Sequence, residues 1–228
     1  MESGFSEIDI MFIMVEWKKI DTVLLDMDGT LLDLHFDNYF WQEYLPMHWG
    51  QMRGLDVEIA KQELIPRLKS MEGTLSWYCL DFWSNELNIN VMKLKADIEH
   101  LIRIRPSVPE FLIALVDMGK KPYMVTNAHE DLITMKLEKT GIGKYFQAVV
   151  SSHRLGFPKE EEAFWQKLNE GITFLPARSL LIDDNLTVLR TARNYGISNL
   201  FCIAQPDSRG PMRDTEEFTA IDDFSRIL

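Results

Sequence analysis

The stretch Thr22–Asp33, Thr-Val-Leu-Leu-Asp-Met-Asp-Gly-Thr-Leu-Leu-Asp, constrains the chain more than any other. Its opening run, Thr22 to Leu25, has no solvent-facing side. That is the pattern of a strand buried on both faces, and hence of a parallel sheet covered by helices. The run ends at Asp26 and Asp28, and Gly29 breaks the strand. In open α/β sheets, ligands bind in the crevice beyond the carboxyl ends of the strands. Asp26 and Asp28 are therefore expected at a strand tip, close enough to share a ligand. Carboxylates so placed repel, so one keeps its proton unless a cation neutralises the pair. A hard divalent ion with oxygen ligands, Mg2+ above all, meets that need. Asp-Gly alone is ordinary turn chemistry; Asp-x-Asp-Gly-Thr-Leu directly after a buried strand is far more specific.

The texture changes after this stretch. Residues 34–105 carry aromatics and helical periodicity without a convincing strand, and Pro46, Gly50, Gly54 and Gly73 divide them into about four helices. From Pro106 onward, strand and helix alternate. Helices are expected over about 108–118, 130–140 and 160–169, and from Asp184 to Tyr195. Strands are expected at Tyr123–Thr126, Ala148–Ser151, Ser179–Asp183 and Asn199–Ile203. Alternation of this kind implies an α/β fold, a doubly wound parallel sheet. The resulting division is a core of residues 19–33 and 106–228, an all-helical insertion at 34–105, and an extension at 1–18. The tail after Asp207 reads as irregular, with a short terminal helix at most.

Three further strand ends carry polar residues that a parallel sheet gathers on one edge. Thr126-Asn127 offers a hydroxyl and a freed backbone amide to a phosphate oxygen, or simply caps the next helix. Lys159, positioned by Gly156 and Pro158, can pair with a phosphoryl group and an attacking carboxylate. Asp183-Asp184 after Leu-Leu-Ile has no packing purpose and suits a metal better than a cap. Of the five histidines, none at metal spacing, His129 alone is expected near the site.

Asp26-Met27-Asp28-Gly29-Thr30-Leu31 resembles motif I of the haloacid dehalogenase superfamily of phosphohydrolases. Thr126, Lys159 and Asp183-Asp184 resemble its motifs II, III and IV, so the resemblance spans about residues 20–205. It implies an aspartyl-phosphate route in which Asp26 is the nucleophile and Asp28 the general acid and base. Thr126 and Asn127 would bind phosphate, and Lys159 would stabilise the pentavalent centre. The magnesium shell would draw on Asp26, Asp28, Asp184 and Asp183, with Asp184 in direct contact and Asp183 acting through water. The helical insertion is similar to the family's first type of cap, which closes over the site.

Within that insertion, Asp33-Leu34-x-Phe36-Asp37-Asn38-Tyr39-Phe40-Trp41 and Trp77-Tyr78-Cys79-Leu80-Asp81 resemble a narrower bacterial group of purine 5′-nucleotidases acting on GMP and IMP. The implied substrate is a small phosphorylated metabolite, a purine nucleoside monophosphate. Flat aromatic walls suit such a ring, although aromatics at helical spacing are more often core. Sugar-phosphate phosphatases and phosphomutases of the superfamily share the same motifs. A dehalogenase needs neither Asp28 nor Asp183-Asp184, and a silent phosphate-binding protein has no use for the complete set.

A net charge of −11 argues against nucleic-acid polymers and anionic membranes as partners. An anionic substrate must then be drawn in by local cations. Cys79 and Cys202 form no disulfide framework, which fits a reducing cytoplasm. The apolar patch Ile8–Val15 lacks the positive start and cleavage site of a secretory leader and is too short to span a membrane. It reads as an extension that packs on the sheet or stays partly disordered. A monomer or homodimer is expected.

Overall fold

The computed structural model describes residues 13–228. The first part of the expected extension, residues 1–12, lies outside the described residues. Ile13 donates its backbone N–H to the Arg226 carbonyl, and the Trp17 indole donates to Ile227, so residues 13–17 dock on the C-terminal segment.

The chain runs β1 (Thr22–Leu25), α1 (His35–Tyr39), α2 (Leu45–Arg53), α3 (Val57–Lys69), α4 (Leu80–Leu87), α5 (Val91–Asp97), α6 (Val108–Asp117) and β2 (Lys121–Thr126). It continues with α7 (Glu130–Thr140), β3 (Ala148–Ser151), α8 (Ser152–Leu155), α9 (Glu162–Ile172), β4 (Ser179–Asp183), α10 (Leu186–Tyr195), β5 (Asn199–Ile203) and β6 (Thr219–Ile221). The sheet has six strands in the order β3-β2-β1-β4-β5-β6, and every pairing is parallel.

The two-sided burial expected of β1 has a direct cause in side-chain alternation. Val23 and Leu25, with Met124, Leu180 and Ile182, pack on one face against α6 residues Val108, Phe111 and Leu115. Leu24, Val125 and Leu181 point the other way, into Phe164, Trp165 and Leu168 of α9 and Val188, Leu189 and Ala192 of α10. The first core continues without a break into the helical segment between β1 and β2, through Phe36, Phe40, Leu64, Trp83 and Leu87.

Three expectations need correction. The segment after Asp207 contains β6, a short parallel partner of β5 through Phe201–Thr219 and Ile203–Ile221. Only Ile221 of its three residues is buried, so the sequence there has no apolar run to mark a strand. Pro46 and Gly50 do not end a helix. Residues 35–53 are helical throughout, and the five residues before Leu45, Phe40–Tyr44, take a π turn. A widened turn accommodates the ring and missing donor of Pro46. Helix α9 begins at Glu162, because residues 159 and 160 are held in the loop by contacts to the site.

Leu181→Ala should lower stability by about 2–5 kcal/mol, because its side chain is fully enclosed between sheet and helices. Urea unfolding should show a lower midpoint with an unchanged slope.

Candidate active site

In the observed order the connections reverse direction at β1: β2 lies on one side and β4 on the other. The carboxyl ends of β1 and β4 thus flank the topological switch point, where a parallel sheet opens a crevice. The Asp26 backbone N–H still donates to the Ile182 carbonyl at 3.0 Å, so the sheet ladder itself fixes this residue. The chain then turns at Gly29, whose φ of +83° suits glycine. A side-chain carbon there would lie 2.8 Å from the Asp184 carboxyl carbon. Glycine therefore lets the β1 loop approach the β4 carboxylates.

One oxygen from each of Asp26, Asp183 and Asp184 falls within a 4.8 Å cluster. Into it reaches Lys159, 2% exposed, with Nζ at 2.6 Å from both Asp26 Oδ1 and Asp183 Oδ2. The lysine is clamped by its own backbone. Its N–H donates to Asn127 Oδ1 at 2.9 Å, and its carbonyl accepts from the Trp165 indole at 2.9 Å. The Asn127 side chain is thus committed to the loop, and its Nδ2 donates to Glu160 at 2.9 Å. Thr126, at the end of β2, accepts from the Ala128 N–H and lines the same cavity.

Three carboxylates against one buried lysine leave excess negative charge. Burial pushes the Asp26 carboxyl well above the usual carboxylate range, Asp183 and Asp184 add to that, and Lys159 opposes it. Burial, reinforced by Asp183, raises Asp184 to about 7. Lys159 is pushed up, because attraction to Asp183 and Asp26 outweighs the burial that would lower it. Asp26 Oδ2 is buried without a partner among the described residues. An orphaned carboxylate oxygen inside an overcharged oxygen cluster is the donor set a hard divalent cation takes. Asp26, Asp183 and Asp184 therefore fit a metal ion, although Lys159 already holds one oxygen of Asp26 and one of Asp183, whose other oxygen accepts from the Asn185 N–H.

The Asp28 carboxylate does not join that cluster. It accepts from Lys136 Nζ at 2.6 Å, and the same Nζ lies 2.6 Å from Asp37 Oδ2. Asp37 Oδ1 in turn accepts from Lys95 Nζ at 2.7 Å. Burial raises the Asp28 carboxyl, with Lys136 pulling against it. Burial disfavours the Asp37 charge too, but Lys136 and Lys95 outweigh it and bring Asp37 down to about 2.

All seven anticipated residues, Asp26, Asp28, Thr126, Asn127, Lys159, Asp183 and Asp184, line a single cavity of about 490 Å³. Its other walls include Asp37, Asn38, Trp41 and Lys95 from the inserted helices, Trp77 and Tyr78 from the turn before α4, and Arg213. His129 is absent from that wall, contrary to expectation. It caps α7, accepting from the Asp131 N–H, and turns its ring toward His153.

A haloacid dehalogenase-like hydrolase family profile matches residues 20–196. The chain is 35% identical over 218 residues to GMP/IMP nucleotidase YrfG of Escherichia coli (strain K12), covering 96% of this chain and 98% of that protein. The chain belongs to the haloacid dehalogenase-like hydrolases. A more distant relative of this hydrolase is pyrophosphatase PpaX of Bacillus velezensis, 26% identical over 78% of this chain and 81% of its own. Among solved structures, a HAD phosphatase from Thermococcus onnurineus superposes with a TM-score of 0.74 at 20% identity, covering 90% of this chain and 95% of its own, which establishes the shared fold.

The site of this hydrolase also contains residues that sequence reasoning passed over. Glu160 accepts from Asn127, from the Tyr78 hydroxyl at 2.6 Å and from Asn185, joining the Lys159 loop to the inserted helices. Lys136 and Lys95 are fully buried. A signal for both was present: Lys136 follows Leu132 and Ile133 on the apolar face of α7, and Lys95 follows Val91 by one turn.

A divalent ion at a hundred times its dissociation constant should stabilise the wild type by about 2.7 kcal/mol. Asp184→Asn should lose most of that gain. In EDTA, a carboxyl raised to about 7 keeps a proton that the unfolded chain releases near pH 4, so this group favours the fold less as pH climbs through that window. The metal-induced rise in melting temperature should accordingly be larger near pH 7.5 than near pH 5, as calorimetry with and without Mg2+ would read.

Proposed function

We propose that this chain is a magnesium-dependent phosphomonoester hydrolase acting through an aspartyl-phosphate, with purine nucleoside 5′-monophosphates as substrates. The observation that carries the reading is the buried Asp26–Lys159–Asp183 arrangement at the switch point, with Asp28 in the same cavity on a separate lysine.

In this reading Asp26 attacks phosphorus and the bond to the leaving oxygen breaks. Asp28, whose raised pKa suits it to hold a proton, donates that proton to the leaving oxygen. It then takes a proton from the water that hydrolyses the aspartyl-phosphate, releasing inorganic phosphate and restoring Asp26. Lys159 offsets charge on the phosphoryl oxygens, and the end of β2 at Thr126 and Asn127 orients them. A magnesium ion held by Asp26, Asp183 and Asp184 would supply charge neutralisation for the incoming dianion.

The helices of residues 34–105 serve as a cap that excludes water and selects the leaving group. Trp41 and Trp77 support a planar leaving group. Both line the cavity, with rings 6.0 Å apart and 23° from parallel. The cavity volume, about 490 Å³, lies within the usual range of about 300–1,000 Å³ for small-molecule sites. Phe36, Phe40 and Trp83, by contrast, are buried core. The 35% identity to a protein named GMP/IMP nucleotidase supports the purine assignment. No described helix is long and apolar enough to cross a membrane, and the free Cys79 and Cys202 fit a cytoplasmic setting.

Phosphate release should be measured from nucleoside monophosphates and sugar phosphates, with magnesium and with EDTA. Magnesium-dependent release strongest from GMP or IMP is expected, falling to background in Asp26→Asn. Trp77→Ala should raise KM for the nucleotide about 5- to 150-fold, the equivalent of roughly 1–3 kcal/mol of base stacking. Release mainly from sugar phosphates would overturn the purine assignment and keep the hydrolase.

A further inference from the structure

Four charged groups form an unbroken buried chain: Lys95, Asp37, Lys136 and Asp28. The links are 2.7 Å from Lys95 to Asp37 and 2.6 Å from Lys136 to each of Asp37 and Asp28. Lys95 is 0% exposed and Lys136 is 1% exposed, so neither lysine is a solvated surface charge. The aromatic ring of Phe36 lies under both, 4.9 Å from each ammonium, and Phe40 and Trp41 complete the surround of Lys95 at 4.3 and 5.1 Å. The chain crosses the molecule's main division. Asp37 and Lys95 stand on α1 and α5 of the inserted helices, whereas Lys136 stands on α7 and Asp28 follows β1.

A buried lysine with two carboxylate partners has a defined position, while one with a single partner can turn with it. Lys136 is fixed toward Asp28 because Asp37 holds it from the other side. Removing Asp37, or lifting the helices that carry it, leaves Lys136 unanchored and the Asp28 carboxylate without its only recorded side-chain partner among the described residues. The Tyr78–Glu160 hydrogen bond at 2.6 Å is a second polar bridge across the same boundary, so the arrangement belongs to a seated cap.

We propose that Lys136 and Asp37 are positioning residues that hold the Asp28 carboxylate in line with the leaving group when the helical cap is seated. Neither residue is a catalytic residue; each acts through Asp28. The inference rests on the reading of Asp28 as the general acid. Its consequence is that cap seating and proton delivery are coupled through one salt-bridged chain.

Leaving-group dependence tests this, because a purely structural role would affect all substrates alike. A nucleoside monophosphate leaves as an alkoxide and needs the proton, whereas p-nitrophenyl phosphate leaves as a stabilised phenolate and does not. Lys136→Met should lower kcat on the nucleotide about 10²-fold, the lower range of general-acid contributions, with KM little changed. Its kcat on p-nitrophenyl phosphate should fall only a few-fold. Asp37→Asn should show the same asymmetry, and Lys136→Arg should restore part of the nucleotide rate. If Lys136→Met does not fold, as its melting curve will show, the ratio in Asp37→Asn decides. An equal loss on both substrates, or a change confined to KM, overturns the proposal while the hydrolase reading stands. A wild type that hydrolyses neither substrate overturns both.

Discussion

Like charge crowded at the tips of β1 and β4 is the constraint on which the rest of the site depends. Asp26, Asp183 and Asp184 meet there with one buried ammonium, that of Lys159, among them. Such a cluster is costly in a low-dielectric interior, and it persists because the surrounding structure leaves no alternative. The ladder bond from Asp26 to Ile182 pins one carboxylate, and the buried strand β4 carries the other two. The Lys159 backbone is fixed, since Asn127 and Trp165 hold its peptide on both sides. Repulsion is thus held within a fixed frame whose oxygen cluster could take a cation, consistent with functional sites being where local rules are broken.

Much of this was legible in the sequence, for identifiable reasons. Thr22–Leu25 and Ser179–Ile182 have no polar side, and a strand of that kind has few places to go but the middle of a parallel sheet. Once those strands are central, Asp26, Thr126 and Asp183-Asp184 must gather on one edge. What stayed hidden depended on partners far along the chain. Glu160 looks like any helix-leading acid until Tyr78, Asn127 and Asn185 converge on it. Lys136 and Lys95 occupy apolar helix faces, a signal that is ambiguous because long lysine stems also cover apolar surface while their charge reaches water. Strand β6 has one buried residue and owes its existence to the open edge of β5 rather than to its own pattern.

The inserted helices illustrate how composition can mislead at single positions and inform in aggregate. Aromatic residues at helical spacing sort into two populations that the sequence does not distinguish. Phe36, Phe40 and Trp83 are enclosed in a core continuous with the sheet. Trp41 and Trp77 face the cavity. The difference comes from which turn of helix, or which loop before one, meets the crevice, a tertiary fact. Phe36 and Phe40 also form the aromatic floor beneath Lys95, so core packing and buried charge are parts of one construction.

The two buried lysine networks differ in charge balance, and that difference gives Asp26 and Asp28 distinct environments within a few residues of sequence. Around Lys159 three carboxylates outnumber the two nearby cations, Lys159 and Arg213, which leaves Asp26 Oδ2 without a partner among the described residues in an oxygen cluster that could hold a metal. Around Lys136 and Lys95 the charges alternate evenly, so Asp28 is held without a deficit for an added cation to fill. Opposed environments acting on neighbouring carboxylates are a general way for one fold to set their proton affinities apart. In this chain the separation is built from elements that meet only on folding: Asp28 beside β1, Lys136 on α7, and Asp37 with Lys95 from the insertion. The inserted segment carries half of that balancing chain, so it lines the cavity and also sets part of the electrostatic surroundings of Asp28.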